Sequence, residues 1–281
     1  MRPRPRSCST GTLHGRLPGE EYLSVTQTFR DELLAVWEAF AAALPSVRLE
    51  RGEGYVVVSY PRFRSAAMNA VWSWGGDGSA AADLVSRLAE IAEAGVSSGV
   101  IISDREAPEL EREAQRLGLT ERHEIPGMVA TASSFQPADA AGLDVVVAVE
   151  SGRLEQALDV AAAGFGFPRE WAEELYSPAV LVGGVSVYLG LSLGRPVTTA
   201  LVCRTKRSVG IFNVATPVEE RGRGYGAAVT SRAAADGFAA GARTVWLQAS
   251  GMGFGIYERL GFETVSTAEL LVRPDADTTG V

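Results

Sequence analysis

From Asp144 to Val272 the apolar positions switch repeatedly between a two-residue and a 3.6-residue period, which marks alternating strands and helices. Val145–Glu150 reads as a strand and Arg153–Ala163 as a helix. Phe167–Tyr176 is a second helical piece with Pro168 at its start, where a missing N–H costs nothing. Val185–Leu193 and Val197–Arg204 are strands joined by a two-residue turn at Gly194-Arg195, and Lys206-Arg207 bends the chain into strand Val209–Thr216. A glycine-rich turn then opens a helix that runs to about Ala240. Strand Thr244–Ala249, a short helix around Phe254–Leu260 and strand Phe262–Val272 follow, with Gly261 where a helix C-terminal glycine belongs.

The first half repeats that order more weakly. Gly54–Tyr60 and Asn69–Trp74 read as strands, Ala80–Ala94 as a helix, Ser98–Ser103 as a strand, Pro108–Leu117 as a helix and Met128–Ser133 as a last strand. Leu117-Gly118-Leu119 falls where Leu260-Gly261-Phe262 falls in the second half, so counting back sets Ala114 against Tyr257. Two similar halves are expected, although other α/β domains would show this order too. Residues 1–24 read as a disordered tail, 25–138 as the first domain and 143–275 as the second.

Arg221-Gly222-Arg223-Gly224-Tyr225-Gly226 lies where a strand gives way to a helix. The first N–H groups of a helix lack in-helix partners and carry the positive end of its dipole. Without Cβ atoms, Gly222, Gly224 and Gly226 let an anion come close, and Arg221 and Arg223 add mobile positive charge. The site suits a phosphate. Gly222-x-Gly224-x-x-Ala227 formally matches a dinucleotide fingerprint, but that motif needs a ribose-binding acid about 20 residues on. Thr244–Ser250 supplies none. A triphosphate P-loop is absent.

The run VATPVEERGRGYGAAV resembles motif A of the GNAT (Gcn5-related N-acetyltransferase) superfamily, with Arg221, Gly224 and Gly226 at its signature positions. Leu247–Ser250 followed by Gly255–Phe262 resembles motif B, and the arrangement of the whole chain is similar to a tandem form with a degenerate N-terminal half. The resemblance implies an α/β fold with a mixed, mostly antiparallel central sheet flanked by helices. It also implies acetyl-CoA as co-substrate, with Val214, Ala215 and Thr216 on its pantetheine arm and Arg221, Gly222, Arg223, Gly224, Tyr225, Gly226 and Ala227 around its diphosphate. Tyr257 would be the acid that protonates the departing thiolate: a phenol of pKa about 10 is neutral at pH 7.

No residue is singled out as the base. Strand Gly210–Pro217 has no Glu; Glu219 and Glu220 read as solvated or capping residues, and Glu150, Glu173, Glu174 or a water chain remain open. Trp72 and Trp74 read as core, with a substrate-wall role second. No G-x-S-x-G elbow occurs and Cys203 is mid-strand, so direct attack of a primary amine in a ternary complex is expected. A non-catalytic acyl-CoA sensor or scaffold is the alternative.

Composition narrows the partners. Two cysteines and two histidines at unrelated positions offer no metal spacing. Both cysteines read as unpaired thiols of a reducing compartment. A net charge of -8 argues against nucleic acid. No run is apolar enough to span a bilayer and the basic start lacks a secretory h-region, so a cytoplasmic protein is expected. The acceptor is a small-molecule or protein amine, and a homodimer is left open.

Overall fold

The computed structural model describes residues 19–52, 54–74, 83–84, 86–87, 89–90, 96–103, 108–182, 184–205 and 207–278. The chain opens with helix α1 (Gly19–Ala43) and continues through β1 (Arg48–Gly52), β2 (Tyr55–Ser59), β3 (Asn69–Ser73), β4 (Gly99–Ser103), α2 (Pro108–Arg116) and β5 (Glu121–Thr131). The second half contains β6 (Leu143–Ala148), α3 (Ser151–Phe165), α4 (Pro178–Val182), β7 (Val185–Ser192), β8 (Arg195–Arg204) and β9 (Ser208–Ala215). It ends with α5 (Tyr225–Ala239), β10 (Thr244–Gln248), α6 (Phe254–Arg259) and β11 (Glu263–Val272). Of the helix expected over Ala80–Ala94, residues 83–84, 86–87 and 89–90 are helical; the rest, and the Gly75–Gly78 turn, lie outside the described residues.

The strands form one sheet in the order β1-β2-β3-β4-β11-β5-β10-β9-β8-β7-β6. Among the described residues only β3–β4 and β9–β10 pair in parallel, one such pair in each half, and the other pairs are antiparallel. The halves exchange strands: β5, the last of the first half, lies between β10 and β11, while β11 lies between β4 and β5. The first half is therefore not a separate sheet, and its register is locked to the second through ladders from Glu263–Val129 to Val272–Glu121.

Helices cover both faces. On one, α1 and α3 bury Leu33, Val36, Phe40, Leu154 and Leu158 against Trp72, Ile101, Leu189, Leu201 and Trp246. On the other, α5 and α6 pack Val229, Ala233 and Tyr257 over Ala200, Val202, Val245 and Leu247, while α2 buries Leu110 and Ala114 over Val57, Val71 and Val100. Alternate residues of one strand thus serve opposite cores.

Several elements differ from expectation. Residues 19–24, expected in the tail, begin α1; residues 1–18 lie outside the described residues. Helix α1 as a whole was unforeseen, although Phe29, Leu33, Val36, Trp37, Phe40 and Leu44 keep helical spacing. Edge strand β1 escaped notice because Arg48, Glu50 and Arg51 are solvent-facing charges that protect an open edge. The segment Phe167–Tyr176 is two 3₁₀ turns, Arg169–Trp171 and Glu174–Tyr176. The β7–β8 turn is Leu193-Gly194, one residue earlier than read, with φ of 51° and 78°. Two positive φ angles are what a hairpin turn of type I′ requires.

Strand β5 begins seven residues before the expected Met128, at Glu121, and carries Pro126 inside a central strand. Pro126 C=O accepts the Ala249 N–H at 2.9 Å, so its missing N–H faces the side where the β10 ladder has just ended at Gly127–Gln248. The N–H that would complete this narrow pair by donating to Ala249 C=O is the one proline lacks, so the β10 ladder stops there. The two Leu-Gly pairs do superpose as motifs. Leu119 N–H bonds Ala114 C=O at 2.9 Å, and Phe262 N–H bonds Tyr257 C=O at 3.0 Å, with Gly118 and Gly261 left-handed at φ 82° and 83°. Both helices close with the same Schellman geometry.

Candidate active site

The site is made where the sheet splits. Strands β9 and β10 pair in parallel only from Ser208–Thr244 to Ile211–Leu247, yet β9 runs on to Ala215. Beyond Ile211 its β10-facing edge has no ladder partner in β10. The cause is a bulge. Against β8, Phe212 pairs Leu201 and Ala215 pairs Thr199, so Asn213 and Val214 together oppose Ala200. Asn213 takes φ of 47°, a conformation Asn tolerates better than the β-branched residues around it. Thr198 holds the far end: its hydroxyl donates to Ala215 C=O at 2.9 Å and lies 3.0 Å from the Thr216 hydroxyl.

The opening is a cleft of about 570 Å³ lined by Gly164, Phe165, Asn213, Val214, Arg221, Gln248, Ser250, Met252, Tyr257 and Asp277 among others. Val214 and Thr216 are half-buried and Ala215 is buried. Gly164 lets α3 press against this end of β9, because a Cβ there would come within 3.0 Å of the Ala215 Cβ.

The glycine-rich turn stands at the mouth. Gly222 and Gly224 are left-handed at φ 78° and 79°, and Gly224 caps α5. The Ala228 N–H bonds Gly224 C=O at 2.9 Å, so the N–H groups of Tyr225, Gly226 and Ala227 precede the first in-helix acceptor. Residues 221–224 are exposed, while the Tyr225 ring is buried with its hydroxyl 3.1 Å from Ser192 Oγ.

The two arginines act differently from the mobile charges expected. Arg221 Nη2 donates to Gly164 C=O at 2.7 Å and its Nε to Thr216 C=O at 3.1 Å, so it staples α3 and β9 to the turn. Arg223 pairs with Glu220 at 2.9 Å, and Arg195 approaches the same carboxylate at 3.6 Å. Glu220, read as solvated or capping, is buried beneath the turn. Its charge is offset by two guanidiniums, which leaves the cradle net positive.

Tyr257 projects from α6, on the side of the sheet that carries α5. Its ring is buried, and desolvation pushes the phenol up to about 12. Gly253 makes room for it: a Cβ there would sit 2.7 Å from Tyr257 Cε2. Ser250 opens the same loop, accepting the Gly253 N–H on Oγ at 3.3 Å and the Phe254 N–H on its carbonyl at 3.0 Å.

Among the carboxylates left open as bases, Glu150 is exposed. Glu173 pairs with Arg169 at 3.7 Å, and Glu174 accepts Ser46 Oγ at 2.8 Å while pairing with Arg62 at 3.2 Å. None of the three lines the cleft. Asp277 does, together with Asn213 and Gln248, and none of these was singled out from sequence. An Asn inside a run of β-branched and aromatic strand residues is a signal for Asn213. Nothing local marks Asp277. Among the described residues no group of three or more His, Cys, Asp or Glu can hold a metal ion, and no helix is long and apolar enough to cross a membrane.

A twisted mixed sheet that parts beside a bulged strand, with a glycine cradle at the following helix, is the fold of GCN5-related N-acetyltransferases, present here in tandem form. Solved structures share it. A GCN5-related N-acetyltransferase from Kribbella flavida is 20% identical, with 86% of this chain and 95% of that one covered at a TM-score of 0.63. One from Sphaerobacter thermophilus is 19% identical over 89% and 88% of the two chains, TM-score 0.58. A tandem GNAT protein from the clavulanic acid biosynthesis pathway is 12% identical over 83% and 85%, TM-score 0.54. These likenesses concern the fold. No family profile matches the sequence, and no protein of curated function matches it either.

Proposed function

We propose that the protein transfers an acetyl group from acetyl-CoA to a primary amine, by direct attack in a ternary complex. The observation that carries this reading is the coincidence of three features on one cleft: the exposed left-handed glycine turn, the unpaired edge of β9, and the Tyr257 hydroxyl. The N–H groups of Tyr225, Gly226 and Ala227 would receive the diphosphate, with Arg223 and the helix dipole adding positive charge. The free edge of Asn213–Thr216 would bind pantetheine amides as an added strand, and an N–H of the bulge would face the thioester oxygen as charge develops on it.

In the reaction the amine nitrogen attacks the thioester carbonyl carbon and the C–S bond breaks. The acceptor ammonium gives one proton to water before its nitrogen attacks and a second one after, while Tyr257 gives its phenolic proton to the leaving sulfur and is re-protonated from water. Burial keeps Tyr257 protonated well past neutral pH, so its own ionisation should not shape the rate below about pH 10. The intact Tyr257, with a glycine reserved for its ring, favours turnover over a sensor that only binds.

Replacing Gly224 by Asp tests the cradle. The nearest protein atom to a Cβ there is 3.8 Å away, but φ of 79° strains any side chain, so Gly224→Ala is the control that carries the strain without the charge. Acetyl-CoA at about 100 times its Kd should stabilise the native protein by about 2.7 kcal/mol. That thermal shift should vanish in Gly224→Asp; an undiminished shift would show that the diphosphate binds elsewhere. Tyr257→Phe should keep the shift and lose 10²- to 10⁴-fold in kcat, on the order expected for a proton donor.

A further inference from the structure

A second cavity, of about 110 Å³, opens from the cleft through Ile211, Phe212, Asn213 and Gln248, which line both. It lies on the opposite face of the sheet from Tyr257, among the side chains that α1 covers. The first half builds its outer wall: Val36, Trp37 and Phe40 from α1, Met68 from the turn before β3, Trp72 from β3 and Ile125 from β5. Among the described residues no charged side chain lines it. Trp72, read from sequence as core first and substrate wall second, is buried and lines this cavity. The indole N–H groups of Trp37 and Trp72 are buried without an acceptor among the described residues.

Asp277 brings a carboxylate to the adjoining cleft. It is held by its main chain: its carbonyl accepts the Ala66 N–H at 2.7 Å and its N–H donates to Ser97 Oγ at 2.9 Å. The next two residues along that turn, Ala67 and Met68, wall the apolar cavity. The chain thus returns from β11 to the first half and sets a negative charge in the cleft, bonded through its main chain to the turn that leads into the cavity wall. Among the described residues, Asp277 is the one carboxylate lining the cleft.

We propose that this cavity is the acceptor site and that its substrate class is a compact monoamine with an apolar or aromatic body. The body fills the cavity and the ammonium sits by Asp277. An apolar cavity of about 150 Å³ is large enough for benzene, so 110 Å³ suits a group no larger than a phenyl ring or a short branched alkyl chain. Polycationic acceptors find no counter-charges in this lining, and burying an unpaired ammonium there is prohibitive. Approach from the α1 face also brings the amine to the thioester opposite Tyr257, so attack and leaving-group protonation come from different sides. This assignment rests on the acetyl-transfer reading.

The test compares 2-phenylethylamine, spermidine and kanamycin as acceptors in thiol-release assays with the full chain. It adds Ala67→Phe, which fills the cavity, and Asp277→Asn, which removes the charge but keeps the shape. The expected result is a kcat/KM at least tenfold higher for 2-phenylethylamine than for either polycation. Each variant should raise its KM tenfold or more while acetyl-CoA affinity stays within twofold. Should Ala67→Phe fail to fold, Ala67→Leu makes the same comparison. Faster turnover of the polycations overturns the proposal, as does an unchanged KM in both variants. So does a preference for hexanoyl- over acetyl-CoA that Ala67→Phe abolishes, because the cavity would then hold the acyl chain. Quenching of tryptophan fluorescence by 2-phenylethylamine is measured separately without acetyl-CoA. Quenching without any thiol release would leave the cavity assignment standing and sink acetyl transfer; absence of quenching with or without acetyl-CoA would sink the cavity assignment.

Discussion

Tyr257, the proposed proton donor, illustrates how a side chain is placed by its neighbours. Its ring lies against a backbone position where even a methyl group would intrude, 2.7 Å from Cε2 at Gly253. Gly253→Ala should therefore push the ring off its seat while the αR backbone of that residue, φ -83°, accommodates alanine without strain. We expect stability to fall by about 1–3 kcal/mol, as overpacking does, and kcat to fall at least tenfold, since small displacements of a proton donor are costly. Unaltered kcat in steady-state assays would show that the position of the hydroxyl is not critical. Arg221 teaches the complementary lesson. Its motif position suggests charge for a phosphate, but α3 and the end of β9 receive its hydrogen bonds, so its loss would loosen the cleft as well as change its charge.

Among the elements, β9 matters most. It parts from β10 because a two-residue bulge with a left-handed Asn213 redirects it, and the resulting free edge is the slot on which the proposed cofactor binding would depend. The β7–β8 hairpin gives an independent check on local backbone chemistry. Leu193 is 93% exposed and held at φ 51°, where a leucine gains nothing from burial and is disfavoured sterically. Leu193→Asn should stabilise the protein by about 0.5–1 kcal/mol, a rise of about 1–4 °C in Tm by calorimetry. A lower Tm would mean that this turn is not strained.

For the molecule as a whole, exchange of β5 and β11 makes the two halves one cooperative sheet. Buried phenols are spread through it: Tyr60 and Tyr176 on the α1 and α3 side, Tyr188 and Tyr257 under α5 and α6. Desolvation raises all four, Tyr188 and Tyr257 to about 12. The unfolded phenols ionise near pH 10 and the native ones later, so above pH 10 the unfolded state binds fewer protons. Stability is then full below about pH 10 and falls as pH rises toward the native values, by up to about 1.4 kcal/mol per phenol per pH unit. Urea midpoints should be flat from pH 8 to 9.5 and drop steeply by pH 11; a flat profile throughout would refute the burial of these hydroxyls.

The alternation of strands and helices from Val145 to Val272, the glycine turn before α5 and the Leu-Gly closures at Gly118 and Gly261 were all legible in the chain. Each is a local matter, set by side-chain period or by a residue that must take a positive φ. Exposed charges hid β1, and Pro126 hid the start of β5, because a strand's tolerance of either depends on which edge faces what. The partners of β5 and β11, the burial of Glu220, the stapling by Arg221 and the arrival of Asp277 beside Ala67 depend on contacts between residues far apart in the chain. No window of neighbouring residues contains them, since only the closed sheet brings them together.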